Sequence, residues 1–334
     1  MILRSRHRSA WLLPAATHGR AGLRSFGHSG LKGFVARAVV ATKLLRGKRV
    51  WLDIAPLERA LAAALGMPDV RLAFSIGTSG AYRKLTVEVR TRRDEVLAYA
   101  KLGTDAPARD SLRREHENLL RLSTEDSLRG AVPGVLGWFP WRGAHLLLLT
   151  AGRGRIGCRR LTEEHAGFLR RLHAAFAHDA RFEASAMWTR MVATVDRLTP
   201  RLPAEWALRW RRALALLDAR LGPTVLPLSL AHRDFAPWNT RFGPQGLFVF
   251  DWETAADGVT PLYDIFHFHA VQAARAGNPF RPSRAPRQAI SAAPWSTWTA
   301  YVPILYLAYL LDASLLHAEA RLIAPQSAQG PEWH

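Results

Sequence analysis

The chain has one cysteine, Cys158, among its 334 residues. A single thiol cannot form an internal disulfide or a thiolate metal cluster, and this scarcity fits the reducing cytoplasm. The chain also lacks an unbroken apolar run of the roughly 18 residues that a membrane-spanning helix needs. The best candidate, residues 301–316, contains Pro303 and Asp312, so we interpret it as a buried helix. The composition therefore favours a globular cytoplasmic protein.

Acidic residues are missing from the amino-terminal end. The chain has 46 Lys and Arg against 27 Asp and Glu, a net charge of +19, and residues 1–50 hold 11 basic residues and no acid. Such a charge suggests a polyanionic partner. Because more than half of the excess lies in residues 1–50, we interpret that segment as a poorly ordered basic extension and expect no nucleic-acid partner. A weak peripheral membrane contact through residues 1–50 is the alternative.

Residues 51–150 show strand patterns. Leu85, Val87 and Val89 alternate with polar residues, which is typical of a strand with one buried face. Tight-turn residues separate this segment from its neighbours, so the pattern predicts an antiparallel meander. The predicted strands are 70–75, 81–90, 96–102, 135–138 and 145–150, and the predicted helices are 56–65 and 108–122.

Residues 151–334 are mostly helical by pattern. Thr162, followed by Glu163 and Glu164, is typical of a helix start. The chain is therefore predicted to be α+β, with a strand-rich part over 51–150 and a mainly helical part over 151–334. The predicted helices here are 161–177, 185–198, 204–221, 262–274 and 298–322, with short strands at 226–230 and 247–250.

One segment carries residue types suited to phosphoryl transfer. His232, Asp234 and Asn239 fall within nine residues, and the next apolar strand leads to Asp251. Transfer from a nucleotide needs a carboxylate that accepts the proton of the attacking hydroxyl. It also needs an amide oxygen and a second carboxylate that hold Mg²⁺ against the phosphates. An Asp in a loop, an Asn five residues later and an Asp at a strand end can point at one spot.

The first half of the chain supplies complementary residues. Gly77 and Gly80 lie in a turn whose backbone amides could cover phosphates. Lys101 stands between apolar neighbours in a predicted strand and needs an anionic partner, which Glu115 on the following helix could supply. That pair would direct the ammonium at nucleotide phosphates. The rival residues are Lys84 and Glu117.

Taken in chain order, these motifs resemble the aminoglycoside phosphotransferase and choline kinase group. The resemblance covers about residues 55–320 and includes Pro261-Leu262-Tyr263-Asp264 downstream. It implies a bilobal protein-kinase-like fold. An antiparallel sheet lobe over 51–150 would bind the nucleotide, and a mainly helical lobe over 151–334 would bind the substrate and carry the catalytic residues.

The resemblance also implies roles. Asp234 would be the catalytic base, His232 and Asp264 would support its loop, and the backbone of residues 147–152 would meet the nucleobase. One departure is Arg233, which stands where the group usually has Gly. The residues implied to bind Mg²⁺ are Asn239, Asp251 and Glu253. The residues implied to bind ATP, with GTP as the alternative, are Gly77, Gly80, Lys101, Glu115, Asn239 and Asp251.

The predicted activity is a small-molecule kinase that transfers the ATP γ-phosphate to a hydroxyl of a sugar or another small metabolite. The alternative is a nucleotide-binding pseudokinase or scaffold protein of the same fold. Acidic residues are few after Asp264, so a strongly cationic acceptor is not expected. The acids there are Asp312, Glu319 and Glu332, against Arg275, Arg281, Arg284, Arg287 and Arg321.

Overall fold

The structure is a computed structural model that describes residues 2–4, 10–12, 53–76, 82–93, 95–152, 154–278 and 295–323. Most of the basic extension, the glycine pair Gly77 and Gly80 and the residue Glu332 therefore lie outside the described residues. Contacts along the chain define two compact units. The first takes in the described residues up to Arg121 together with Pro133–Ile156, and the second takes in Leu122–Val132 and Gly157–Leu322.

The first unit is built on one antiparallel sheet. Its strand order is β1-β2-β3-β4-β5-β7-β6. The predicted strands of residues 70–102 form the consecutive strands β3 to β5, as a meander requires. The strands are β1 Ile2–Arg4, β2 Ala10–Leu12, β3 Arg71–Ile76, β4 Leu85–Arg90, β5 Val96–Gly103, β6 Val135–Trp141 and β7 Ala144–Thr150, followed by the short β8 Arg155–Ile156.

Two helices accompany this sheet. Helix α1, Ala55–Ala64, has Pro56 in its first turn and ends before Gly66, which has φ +63°. Helix α2 covers Ala106–Leu122. The core of the unit forms where α1 meets the alternating face of the meander, with Leu61, Val87 and Ala100 fully buried. The period-two pattern read from the sequence is therefore the one that buries this face.

The second unit is mainly helical. Its helices are α3 Glu163–Phe176, α4 Ala186–Leu198, α5 Ala204–Leu221, α6 Tyr263–Arg275 and α7 Val302–Ile323. A small sheet runs in the order β13-β10-β9, and β11 pairs with β12 in a hairpin. The strands are β9 His178–Arg181, β10 Val225–Ala231, β11 Thr240–Gly243, β12 Gly246–Val249 and β13 Ala256–Val259.

The core of the second unit is aromatic. Trp252 is fully buried, and its ring centroid lies 6.2 Å from that of Phe168. Phe168 in turn stacks on Phe235, with the ring centroids 6.0 Å apart. Phe235 directly follows Asp234, so the loop that carries the candidate base is fixed to the core by its neighbour.

The stretch Ser296–Leu322 is apolar and long enough, by length and composition alone, to cross a membrane, with a mean hydropathy of 1.5. Its buried residue Asp312, however, accepts hydrogen bonds from Arg233 and Tyr263 of the same unit. Such partners are typical of a core helix in a globular unit. Only 33% of the most apolar window of this stretch is buried, so the helix predicted as buried for residues 301–316 is buried in part.

Two buried histidines make the stability of the second unit depend on pH. Burial lowers the pKa of His165 and of His269 to about 4, whereas an unfolded histidine titrates near 6.5. Between these values the unfolded state binds protons that the folded state does not, so stability is complete above about pH 6.5 and declines toward pH 4. We expect each histidine to cost about 1–2 kcal/mol at pH 5 relative to pH 7.5.

Urea denaturation of the full chain at both pH values measures this loss. His165→Phe should reduce it, because the ring then has no proton to gain. His178→Gln, at an exposed position, is the matched control and should leave the loss unchanged. An equal loss in all three proteins would contradict the assignment.

Candidate active site

The first unit contains a buried ion pair. Lys101 on β5 points its Nζ at the carboxylate of Glu115 on α2, at 2.6 and 2.8 Å from the two oxygens. The two residues are 7% and 0% exposed. Buried charges of this kind persist only when they are paired. The structure thus brings together the two residues that the sequence proposed as partners.

The rival residues have other environments. Lys84 donates from its Nζ to the Ser111 hydroxyl at 3.3 Å, and Glu117 is exposed. A close turn after β5 sets the position of α2, because a Cβ on Gly103 would lie 2.8 Å from the Ala108 backbone. A larger residue at Gly103 would have to push α2, and with it Glu115, away from the strand end.

The second unit presents Asp234 in the loop that follows the buried strand β10. Its Oδ2 accepts from the Asn239 side-chain amide at 2.8 Å, and its Oδ1 lies 3.1 Å from the Nε2 of His267 on α6. The Asp234 side chain is nevertheless 39% exposed. The carboxylate is therefore held from two sides and open on a third, where a hydroxyl could approach.

Three oxygen donors lie beside this carboxylate. The Asn239 amide nitrogen is engaged by Asp234, so the amide oxygen is the atom that a cation would contact. The Phe250 amide donates to the Asn239 carbonyl at 3.1 Å, which places the next residue, Asp251, alongside. Asp251 and Glu253 each offer a carboxylate oxygen within 4.8 Å of the other. Two carboxylates and an amide oxygen suit a hard cation such as Mg²⁺.

Asp264, at the start of α6, anchors the loop that carries Asp234. Its Oδ2 and Oδ1 accept the backbone amides of His232 and Arg233, at 2.8 and 2.9 Å. Burial raises the pKa of the Asp264 carboxyl, while His232 and the two backbone amides oppose that rise. The side chain thus acts on the loop backbone, the supporting position that the sequence assigned to it.

His232 joins the loop to the strand end. Its Nδ1 accepts the Asp234 amide at 3.2 Å, and its Nε2 lies 3.0 Å from the Phe250 carbonyl oxygen. A carbonyl oxygen can only accept a hydrogen bond, so Nε2 carries a proton. One imidazole therefore sets the distance between the Asp234 loop and the segment that carries Asp251.

Arg233, the departure from the group's usual glycine, has its own anchor. Its Nε and Nη2 donate to Asp312 on α7 at 3.0 and 2.8 Å, and the Tyr263 hydroxyl donates to the same carboxylate at 2.7 Å. Burial lowers the pKa of Arg233, but the attraction of Asp312 outweighs this and holds it above its usual value. The long side chain thus ties the loop that carries Asp234 to α7.

Three residues in or beside this site have strained backbone conformations. Arg233, Asp251 and Leu262 have φ of 63°, 72° and 69°, in the left-handed region that side chains disfavour by about 1–2 kcal/mol each. Strain of this kind is retained where surrounding contacts hold a functional geometry. Here those contacts are the hydrogen bonds of Asp264 and of Asp312.

Sequence reasoning missed His267. Its signal was present, since a residue three positions after Asp264 on one helix lies near the same face. The predicted nucleobase-contacting stretch 147–152 covers the end of β7 and the residues after it. Its contact with a nucleobase remains a prediction.

The Arg233–Asp312 pair should be strongly coupled in stability. Removing the carboxylate alone, by Asp312→Leu, leaves a buried guanidinium without its counter-charge and should cost about 3–5 kcal/mol. The double variant Arg233→Met with Asp312→Leu should lose clearly less than the sum of the single variants. Urea denaturation of the four proteins measures the coupling, and additive losses would show that the pair does not act as a unit.

Comparison with known protein families gives a match over most of the chain. A model of the phosphotransferase enzyme family (APH) matches residues 78–301, about two thirds of the chain. No protein of curated function matches the chain by sequence.

Solved structures show the same fold at low sequence identity. The gentamicin complex of APH(2")-IIa has a TM-score of 0.51 and 16% identity, covering 83% of this chain and 94% of that one. The aminoglycoside-3'-phosphotransferase of type VIII has a TM-score of 0.50 and 19% identity, with 78% and 98% covered. A mutant aminoglycoside 2'-phosphotransferase-IIIa bound to GDP has a TM-score of 0.51 and 15% identity, with 79% and 91% covered.

The α+β, protein-kinase-like fold predicted from the sequence is thereby confirmed. So is the prediction of an enzyme that transfers a phosphoryl group to an alcohol, a kinase in the broad sense. The chain belongs to the phosphotransferase enzyme family.

Proposed function

We propose that this phosphotransferase moves the γ-phosphate of ATP to a hydroxyl of a sugar or another small metabolite, with Asp234 as the base. The proposal rests on the contacts and the exposure of the Asp234 carboxylate. Asn239 and His267 hold it, and 39% of the side chain stays exposed. Each of its oxygens keeps a lone pair for the acceptor's proton.

Asn239, Asp251 and Glu253 are the residues that would hold Mg²⁺. When bound there, the ion would neutralise the charge that develops on the transferring phosphate. The role of the chain is to hold the oxygen ligands of these three residues at fixed positions. The strained backbone of Asp251 and the link through His232 keep those donors beside the base.

Lys101 and Glu115 support nucleotide binding. We propose that the ammonium contacts the nucleotide phosphates and that Glu115 fixes its direction, while Gly77 and Gly80 cover the phosphates. ATP is the proposed donor, and GTP is the alternative, since one structural relative was solved with GDP. The described residues do not support the pseudokinase alternative, because every described polar residue that phosphoryl transfer needs is present.

The acceptor is proposed to be neutral or anionic. Structural relatives act on aminoglycosides by name, and such polycations call for free carboxylates. Here the two described acids after Asp264 are already paired, Asp312 with Arg233 and Glu319 with Arg197. Neither is left to line a cationic acceptor's pocket.

The first prediction concerns the base. Asp234→Asn should lower kcat by about 10²–10⁴-fold while nucleotide binding stays, because the amide keeps the shape but cannot take a proton. Phosphate transfer from Mg-ATP to a panel of sugars and to water, followed by ³¹P NMR, measures this. Asp196→Asn, at an exposed position on α4, is the control. Undiminished transfer by Asp234→Asn would contradict the role of base.

A second prediction concerns His267. We expect it to position Asp234, so His267→Ala should lower kcat about tenfold and leave the KM for ATP unchanged. His267→Gln should retain most of the activity, since its amide can still donate to the carboxylate. An equal loss in both variants, or a change in KM instead of kcat, would argue against a positioning role.

A further inference from the structure

One face of α6 runs from the candidate base to an exposed cation. His267, Val271 and Arg275 follow at four-residue spacing, which places them on one face of the helix. His267 contacts Asp234 at the near end. Eight residues of helix separate His267 from Arg275, a rise of about 12 Å.

The far end of this face meets the same loop again. The guanidinium carbon of Arg275 lies 3.8 Å from the ring centroid of Trp238, which follows Asp234 by four residues. Arg241 holds the Trp238 backbone in turn, since its Nη1 donates to the Trp238 carbonyl at 3.1 Å. The loop and α6 therefore face each other along a strip that runs from the contact of Asp234 with His267 to the contact of Trp238 with Arg275.

Arg275 is a cation without a counter-charge. It is exposed, and across the described ranges no carboxylate lies within ion-pair distance of it. Stacking on an indole orients a guanidinium plane while its N–H edge stays available. That edge is suited to bidentate hydrogen bonds with a phosphate or a carboxylate.

The described acids from Asp264 onward are engaged elsewhere. Asp264 accepts two backbone amides, Asp312 pairs with Arg233, and Glu319 pairs with Arg197. Arg241 adds a second guanidinium beside Trp238. The strip thus has the proton-accepting carboxylate at one end and positive charge at the other.

We propose that the acceptor is an anionic sugar or polyol whose phosphate or carboxylate group is bound by Arg275 on Trp238 while its hydroxyl reaches Asp234. This rests on the proposed function. The acceptor's hydroxyl oxygen bonds to the γ-phosphorus as the bond from that phosphorus to ADP breaks. The hydroxyl proton goes to Asp234, and the anionic group on Arg275 is unchanged. The product carries one more phosphate than the acceptor.

Binding measurements test this without requiring turnover. The full chain, saturated with Mg²⁺ and a non-hydrolysable ATP analogue, is titrated calorimetrically with glucose, glucose 6-phosphate, glucuronate and glucosamine. We expect either or both of the anionic sugars to bind at least tenfold more tightly than glucose and glucosamine. The phosphate and the uronate arms tell which anion the site takes.

Variants locate the preference. Arg275→Gln should weaken binding of the preferred anion about tenfold and leave glucose unaffected. The matched control is Arg209→Gln, which removes another exposed arginine stacked on a tryptophan, Trp206, with its guanidinium carbon 5.2 Å from the ring centroid. It should change nothing.

Three outcomes would overturn the inference. Neither anionic sugar binds at millimolar concentration; glucose or glucosamine binds as tightly as the anionic sugars; or Arg275→Gln and Arg209→Gln have the same effect on binding. Failure of the proposed function looks different. Arg275-dependent anion binding with no phosphate transfer would leave the site standing and remove the kinase. Phosphate transfer to neutral sugars that does not depend on Arg275 would support the kinase and remove the anion site.

Discussion

The carboxylate of Asp264 holds two successive backbone amides, those of His232 and Arg233, and the second unit's site depends on it. These bonds set the path of the chain into Asp234 and keep Arg233 in a left-handed conformation. From that fixed start, His232 reaches the end of the next strand segment and Asn239 returns to the Asp234 carboxylate. The Asp234 carboxylate and the Asn239 side chain are thereby held in fixed relative positions by neutral and charge-assisted hydrogen bonds.

Arg233 shows how one substitution changes the way such a loop is secured. A glycine reaches a positive φ at little cost, whereas an arginine there must be held. The described structure holds it with Asp312, Tyr263 and the Thr254 carbonyl, so the last helix becomes part of the site's support. This also explains why an apolar helix carries one buried acid. The same pairing keeps the Asp312 carboxylate engaged within the second unit.

Local patterns account for what the sequence could predict. The helix Ala204–Leu221 has its predicted bounds, and the spacing of Asp234, Asn239 and Asp251 follows from one loop and one hairpin. Partners distant in sequence escaped, such as Asp312, which lies 79 residues from Arg233, and His267, 33 residues from Asp234. Strand β9, His178–Arg181, escaped because its residues are mostly polar and it forms only by pairing with β10.

We propose that the transfer site is centred on Asp234, Asn239 and Asp251. A crystal structure of the full chain with Mn²⁺ and a non-hydrolysable ATP analogue would test this, because the anomalous signal of manganese locates the metal. We expect a peak coordinated by the Asn239 amide oxygen and the Asp251 carboxylate, with the nucleotide phosphates as further ligands. Metal and phosphates bound away from these two residues would contradict it.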